Sequence, residues 1–167
     1  LDGSAIADAP ARKLLQVNEA GRPVWVGETF INLGNRGGVG DDSTNNDVAL
    51  AAAYDDLPSG GGAIYVPPGA YRISAPLQVQ KPVHIFGAGS SSTAFRPTSA
   101  TNDTFVISSA AGGATFEKFK VVPVVPRTNG AGFNILVNAV TLRDLQLYGQ
   151  YIAVIVGDDT TAAVAAR

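Results

Sequence analysis

The order of segments between residues 37 and 71 constrains this chain more than any other feature. Gly37-Gly-Val-Gly-Asp-Asp-Ser-Thr-Asn-Asn-Asp47 is a Gly-rich polar turn, and Val48-Ala-Leu-Ala-Ala-Ala-Tyr-Asp-Asp-Leu57 is a short helical stretch. Leu50, Ala53, Tyr54 and Leu57 fall at i, i+3, i+4 and i+7, so the helix carries one apolar stripe. Asn46 or Asp47 is suited to cap it, because a short side-chain oxygen can accept from the first free N–H groups. Pro58 and the run Gly60-Gly61-Gly62 stop it. Ala63-Ile-Tyr-Val66 then reads as a buried strand, ended by Pro67-Pro68-Gly69. A helix this short gains its stability by covering something, and the strand follows it directly.

Beyond Gly62 the pattern is a succession of short apolar strands: 63–66, 71–74, 77–79, 83–86, 104–108, 115–121, 133–137, 140–147 and 151–156. No second amphipathic helix separates them, which disfavours a doubly wound α/β sheet. An internal repeat runs through them. Thr115-Phe-Glu-Lys-Phe-Lys-Val121 matches Thr141-Leu-Arg-Asp-Leu-Gln-Leu147 at a spacing of 26 residues. Phe105-Val-Ile and Phe133-Asn-Ile precede these copies at a spacing of 28. Such spacings point to a solenoid whose coils share one core. An antiparallel sandwich has the same strand density. The repeat and the single helix favour the solenoid.

This order of turn, helix, Gly break and Pro-stopped strand resembles the entrance to the right-handed parallel β-helix of the pectate-lyase-like superfamily, which includes many phage tailspikes. The resemblance implies an all-β fold: a parallel β-helix start with an N-terminal capping α-helix, preceded by a small arm and hairpin. It also implies a surface that handles polysaccharide. In such a fold the helix shields the exposed end of the first coil, where unpaired edges and apolar side chains would otherwise meet solvent. Residues 13–18 and 23–26 flank Glu19-Ala-Gly-Arg22, a hairpin with Gly21 supplying a positive φ angle and Trp25 as a packing anchor. The chain thus divides into an arm and hairpin at 1–36, suited to virion attachment, and a capping helix with the first coils at 37–167. The absence of methionine at position 1, and of a recognisable closing cap after Gly157, suggests a trimmed start and an N-terminal part of a longer protein.

Composition narrows the chemistry. Net charge is −2, and the 12 Lys and Arg residues are scattered singly, which argues against a nucleic-acid partner. There is no cysteine and one histidine, His84, which excludes thiolate zinc sites and cysteine nucleophiles. No apolar run approaches the length of a membrane-spanning helix. Gly87-Ala-Gly89 follows a strand but precedes no helix, so a dinucleotide site fails on context. Nothing calls for a cofactor or a metal.

Acid–base cleavage of a glycan needs two carboxylates across one bond. Asp41 and Asp42 sit in a Gly-rich turn and read as turn and capping residues. Asp103, Glu117 and Asp144 are isolated in strands and turns. The repeat places Glu117 opposite Arg143 and Lys118 opposite Asp144, a cross-coil charge ladder. His84 points outward or accepts a hydrogen bond. Asp158 and Asp159 remain as weak candidates for catalysis. The reading is therefore structural: the N-terminal region of a phage tailspike or tail-fibre protein, carrying a β-helix shaft for recognition of host surface glycan. The resemblance implies a homotrimer in the virion tail, with other tail or baseplate proteins as partners through the N-terminal segment. A polysaccharide lyase or glycoside hydrolase of the same superfamily is the enzymatic alternative, a secreted protein on that view. A carbohydrate-binding module is the third.

Overall fold

In the computed structural model, residues 13–17, 23–27 and 29–157 are described, the first two segments by their backbone alone. Strands β1 (Lys13–Val17) and β2 (Pro23–Gly27) pair antiparallel, as the hairpin requires. Gly21, the arm before the hairpin and the side chain of Trp25 lie outside the described residues. An opening turn follows, made of β3 (Phe30–Asn32), β4 (Asp41–Asn45) and the helix α1 (Asp47–Asp55). The first full coil is β5 (Gly62–Val66), β6 (Gly69–Ile73) and β7 (Leu77–Val79). The second is β8 (Val83–Gly87), β9 (Thr93–Pro97) and β10 (Phe105–Ile107). The third is β11 (Thr115–Glu117), β12 (Lys120–Val121) and β13 (Ala131–Ile135). The fourth is β14 (Thr141–Arg143), β15 (Gln146–Leu147) and β16 (Ile152–Val156).

Every coil donates one strand to each of three parallel sheets. Sheet I runs β3-β5-β8-β11-β14, sheet II β4-β6-β9-β12-β15, and sheet III β7-β10-β13-β16. This is a parallel β-helix, the solenoid that the repeat predicts. In the opening turn α1 takes the place of a sheet III strand and packs against β7 and the 3-10 turn Leu33–Arg36. Its stripe of Leu50, Ala53, Tyr54 and Leu57 is buried as expected. The Tyr54 hydroxyl accepts from the N–H groups of Gln80 (2.6 Å) and Lys81 (2.8 Å), which fixes the helix on the first coil. Arg36 Nε donates to Asp56 Oδ2 at 2.7 Å, tying the 3-10 turn to the helix end. Gly61 has φ +90°, and a Cβ there would lie 1.8 Å from the Pro82 carbonyl oxygen, so the break before β5 needs glycine.

The capping expectation needs correction. Asn46 occupies the N-cap position without a side-chain capping bond. Its amide instead accepts from Val39 N–H at 2.7 Å and donates to the Thr44 carbonyl at 2.7 Å, pinning the Gly-rich loop. The neighbouring Asn45 Oδ1 accepts from Asp47 N–H at 2.8 Å. The polar run Asp41–Asn45 is itself a strand, and Thr93–Pro97 is another; neither shows the apolar alternation that marks a strand in sequence.

In-register ladders build the core. Ile31, Ile64, Ile85, Phe116 and Leu142 stack in sheet I, while Leu77, Phe105, Phe133 and Val154 stack in sheet III. Phe105 and Phe133 lie nearly parallel with ring centroids 4.9 Å apart, and Phe95 meets Phe105 edge-on at 5.2 Å. Burying each such ring stabilises the fold by about 1.5–3 kcal/mol. The two repeat copies, 115–121 and 141–147, are each split into two strands, not one. Lys118 and Asp144 stand at the corners with φ 60° and 51°. The corner explains the doubled charge in the motif, since the alternation slips by one there and Phe116 and Phe119 both face inward.

Candidate functional site

A polar hollow of about 420 Å³ lies on the outer face of sheet III. Its floor is an outward ladder, Gln78, Val106, Asn134 and Ile155, one residue from each of four coils. These positions follow the inward residues Leu77, Phe105, Phe133 and Val154, so strand alternation turns them to solvent. The loops leading into β10 and β13 form a wall. Thr128 and Asn129 N–H groups both donate to the Ala100 carbonyl, at 2.8 and 3.1 Å, which locks one loop on the other. Gly130, with φ +72°, passes so close that a Cβ would come within 2.6 Å of the Asn102 carbonyl oxygen.

Asp103 is the one carboxylate among the hollow's described lining residues. Oδ1 accepts from Ala131 N–H at 2.7 Å and Oδ2 from Asn134 Nδ2 at 2.9 Å. Both oxygens are thus engaged in holding β13 beside the loop. Asn134 Oδ1 is left buried without a protein partner among the described residues. Behind the wall Arg127 is buried; its guanidinium donates to the carbonyls of Asn102 and Ala131. Burial pushes the Arg127 pKa down, and the charge of Asp103 opposes that shift. Amides, carbonyls and one occupied carboxylate form a surface suited to hydroxyl groups through paired donors and acceptors. They lack the second acid that glycosidic acid–base chemistry needs.

The other residues singled out in sequence lie elsewhere. His84 and Glu117 are on the outer face of sheet I, with His84 Nε2 3.1 Å from Glu117 Oε1. Arg143 Nε donates to Glu117 Oε2 at 2.6 Å, the cross-coil pair that the repeat places opposite. Arg143 holds the Glu117 carboxyl below its ordinary range; burial opposes this, and the His84 hydrogen bond adds to it. The second rung is not formed: Lys118 reaches toward Glu117, at 3.9 Å, and makes no ion pair with Asp144 among the described residues. Both side chains leave the strand geometry at the corner, so the ladder ends after one pair. Asp41 accepts four bonds from Ser43 and Thr44, which is turn chemistry and lowers its pKa strongly. Asp42 sits over sheet II between Arg72 and Arg96. Asp158 and Asp159 lie outside the described residues. Among the described residues no group of three or more His, Asp or Glu side chains could hold a metal ion. The hollow itself is missed by carboxylate-based reasoning. The signal that finds it is the middle residue of the 28-spaced Phe-x-Ile repeat, which yields Val106 and Asn134.

Stacked three-sheet coils closed at one end by a helix define the parallel β-helix class. The chain belongs to the Rhamnogalacturonase A/epimerase, pectate lyase-like family, whose profile matches residues 30–141. Alginate lyase 7 of Azotobacter vinelandii is 27% identical over 147 residues, covering 70% of this chain and 17% of that protein. Among solved structures, the ORF18 protein of Geobacillus virus E2 superposes with a TM-score of 0.63 at 17% identity, over 80% of this chain and 32% of its own. The A-module of the Azotobacter vinelandii mannuronan C-5 epimerase AlgE6 gives a TM-score of 0.58 at 19% identity, over 72% and 38%. The chain therefore spans well under half the length of each of these relatives. The structural matches, at such identities, concern the fold.

Proposed function

We propose that this chain is the N-terminal structural region of a phage tailspike or tail-fibre protein. Its capped coils begin a shaft that presents a polysaccharide-engaging face to the host surface. The observation that carries this reading is the state of Asp103, the hollow's one described carboxylate, with both oxygens committed to holding β13. Such a surface grips hydroxyl-rich chains without cleaving them. A viral protein among the structures sharing the fold supports association with a virion. On this reading the chain assembles as a homotrimer, and residues 1–36 contact another tail or baseplate protein. No helix among the described residues is long and apolar enough to cross a membrane.

Catalysis is the second reading, favoured by the sequence similarity to Alginate lyase 7. Under it, the described coils are the entry to a lyase, hydrolase or epimerase whose acids lie outside the hollow. Two measurements separate the readings: release of reducing ends or unsaturated products from a panel of acidic and capsular glycans, and mass by light scattering. The structural reading expects no release and a trimer mass. Turnover that disappears in Asp103→Asn, or in Asp158→Asn with Asp159→Asn, overturns it. A strictly monomeric species at high concentration removes the trimer.

A further inference from the structure

The loop leading into β13 holds the chain's single Asn-Gly dipeptide, Asn129-Gly130, and both residues line the sheet III hollow. Asn129 is exposed, and Gly130 has φ +72° where the loop turns into the strand. The Gly130 N–H donates to Asn129 Oδ1 at 2.8 Å, so the side chain is folded back over the peptide nitrogen that follows it. Among the described residues that N–H has no other acceptor, and Asn129 Nδ2 donates to nothing. The backbone on either side is anchored. Thr128 and Asn129 N–H groups donate to the Ala100 carbonyl, and Ala131 N–H donates to Asp103 Oδ1 at 2.7 Å.

This arrangement brings an amide carbon, Asn129 Cγ, next to a nucleophile, the Gly130 nitrogen. Once base removes the proton from that nitrogen, it can bond to Cγ. The Cγ–Nδ2 bond then breaks and ammonia leaves with a proton from solvent, closing a cyclic imide. Water opens the imide at either carbonyl. Cleavage on the Cγ side leaves an aspartyl residue, and cleavage on the backbone side leaves an isoaspartyl linkage with the chain running through Cγ. No oxidant or cofactor enters. Glycine favours the ring closure because it has no Cβ to crowd the nitrogen. The other asparagines near the hollow are placed differently. Asn102 Nδ2 is bonded to the Ser74 carbonyl, Asn134 Nδ2 to Asp103, and the residues that follow them are Asp103 and Ile135. Asn46, buried at the N-cap, spends its amide on Val39 and Thr44.

We propose that Asn129-Gly130 is a site of spontaneous deamidation that changes the hollow as the folded protein ages. Either product sets a second carboxylate beside Asp103, the hollow's one described acid. The isoaspartyl product also lengthens the backbone at Gly130, where a Cβ would already come within 2.6 Å of the Asn102 and Thr101 carbonyl oxygens. The loop has no room for that extra carbon, so the wall between the loops into β10 and β13 must shift. The modification stands on the dipeptide and its geometry, whatever ligand the hollow takes.

Incubating the folded full chain in neutral and mildly alkaline buffer, followed by peptide mapping by mass, tests it. The peptide bearing Asn129 should gain the deamidation mass at least about tenfold faster than peptides bearing Asn102, Asn134 or Asn138, since none of these precedes a glycine. The rate should rise with pH, and isoaspartyl methyltransferase should label the same peptide. Asn129→Gln, whose longer side chain closes the ring poorly, should keep its amide and take no label at that position. The aged parent should melt below the fresh one. Asn129→Asp, which has the charge without the longer backbone, should melt with the fresh parent. Deamidation at Asn129 no faster than at Asn138, or seen only after denaturation, would overturn the assignment. Melting of Asn129→Asp as low as the aged parent would overturn the backbone part of it.

Discussion

The opening of the solenoid and its fourth coil are written in the same sequence pattern and end up packed very differently. In the first coil Ile64, Val66, Tyr71, Ile73 and Val79 are buried, because α1 and β3 close one side and the second coil closes the other. In the fourth, Leu142, Leu145, Leu147 and Val154 occupy the matching ladder positions yet remain only partly buried. The difference follows the described neighbours: the first coil lies between two others, the fourth against one. A coil of this fold cannot bury its own apolar face, and its stability is borrowed from the coils on either side.

The cap is the strongest place to break that contrast. Leu50 is 3% exposed and faces the first coil, so Leu50→Asp buries a charge with no partner and should cost about 4–5 kcal/mol. Denaturant titration should show partial or complete unfolding with association through the uncovered end. A variant as soluble and heat-resistant as the parent would remove the capping role.

The interior offers a graded comparison. Phe105 touches the rings of Phe95, Phe116, Phe119 and Phe133, so Phe105→Ala should cost about 3–5 kcal/mol. Leu145→Ala, in the fourth coil, should cost less, about 1–2 kcal/mol, because that side chain packs against the core but is only partly buried. Equal losses at the two sites, read from urea midpoints, would contradict the idea that burial comes from stacking.

How much of this was legible in the sequence depends on whether a signal was local. The helical stripe and the 26-residue repeat are local patterns, and they revealed α1, the sheet I ladder and the Glu117–Arg143 pair. Strands β4 and β9 were hidden because one is wholly polar and the other contains Pro97 after a serine turn. The corner at Lys118 was hidden because a left-handed residue other than glycine leaves no compositional mark. The hollow joins residues from separate coils, and only the register, fixed by loop lengths that vary from coil to coil, brings them together.

A smaller effect is expected from the charge pair outside the core. Arg143 depresses the folded-state pKa of Glu117 below the unfolded carboxyl value of about 4.3. The pair therefore contributes stability that is present above that value and is lost as pH falls through the folded one. Arg143 is largely exposed, so solvent screens the interaction and the contribution is modest. Glu117→Gln should flatten the acid side of a stability-versus-pH curve, while leaving the slope above pH 7 unchanged. An unchanged acid limb would show that the pair carries no stability.

The stacking register can be tested directly, because the chain has no cysteine of its own. Thr115 and Thr141 are register partners on the outer face of sheet I, in adjacent strands about 4.8 Å apart and within disulfide reach. Thr115→Cys with Thr141→Cys should oxidise to an intramolecular disulfide under mild conditions, detected by mass and by altered mobility without reductant. Thr115→Cys with Gln146→Cys, which joins strands of different sheets, should not. Failure of the first pair to close while the protein stays folded, or equal closure of both pairs, would contradict the stacked-coil account.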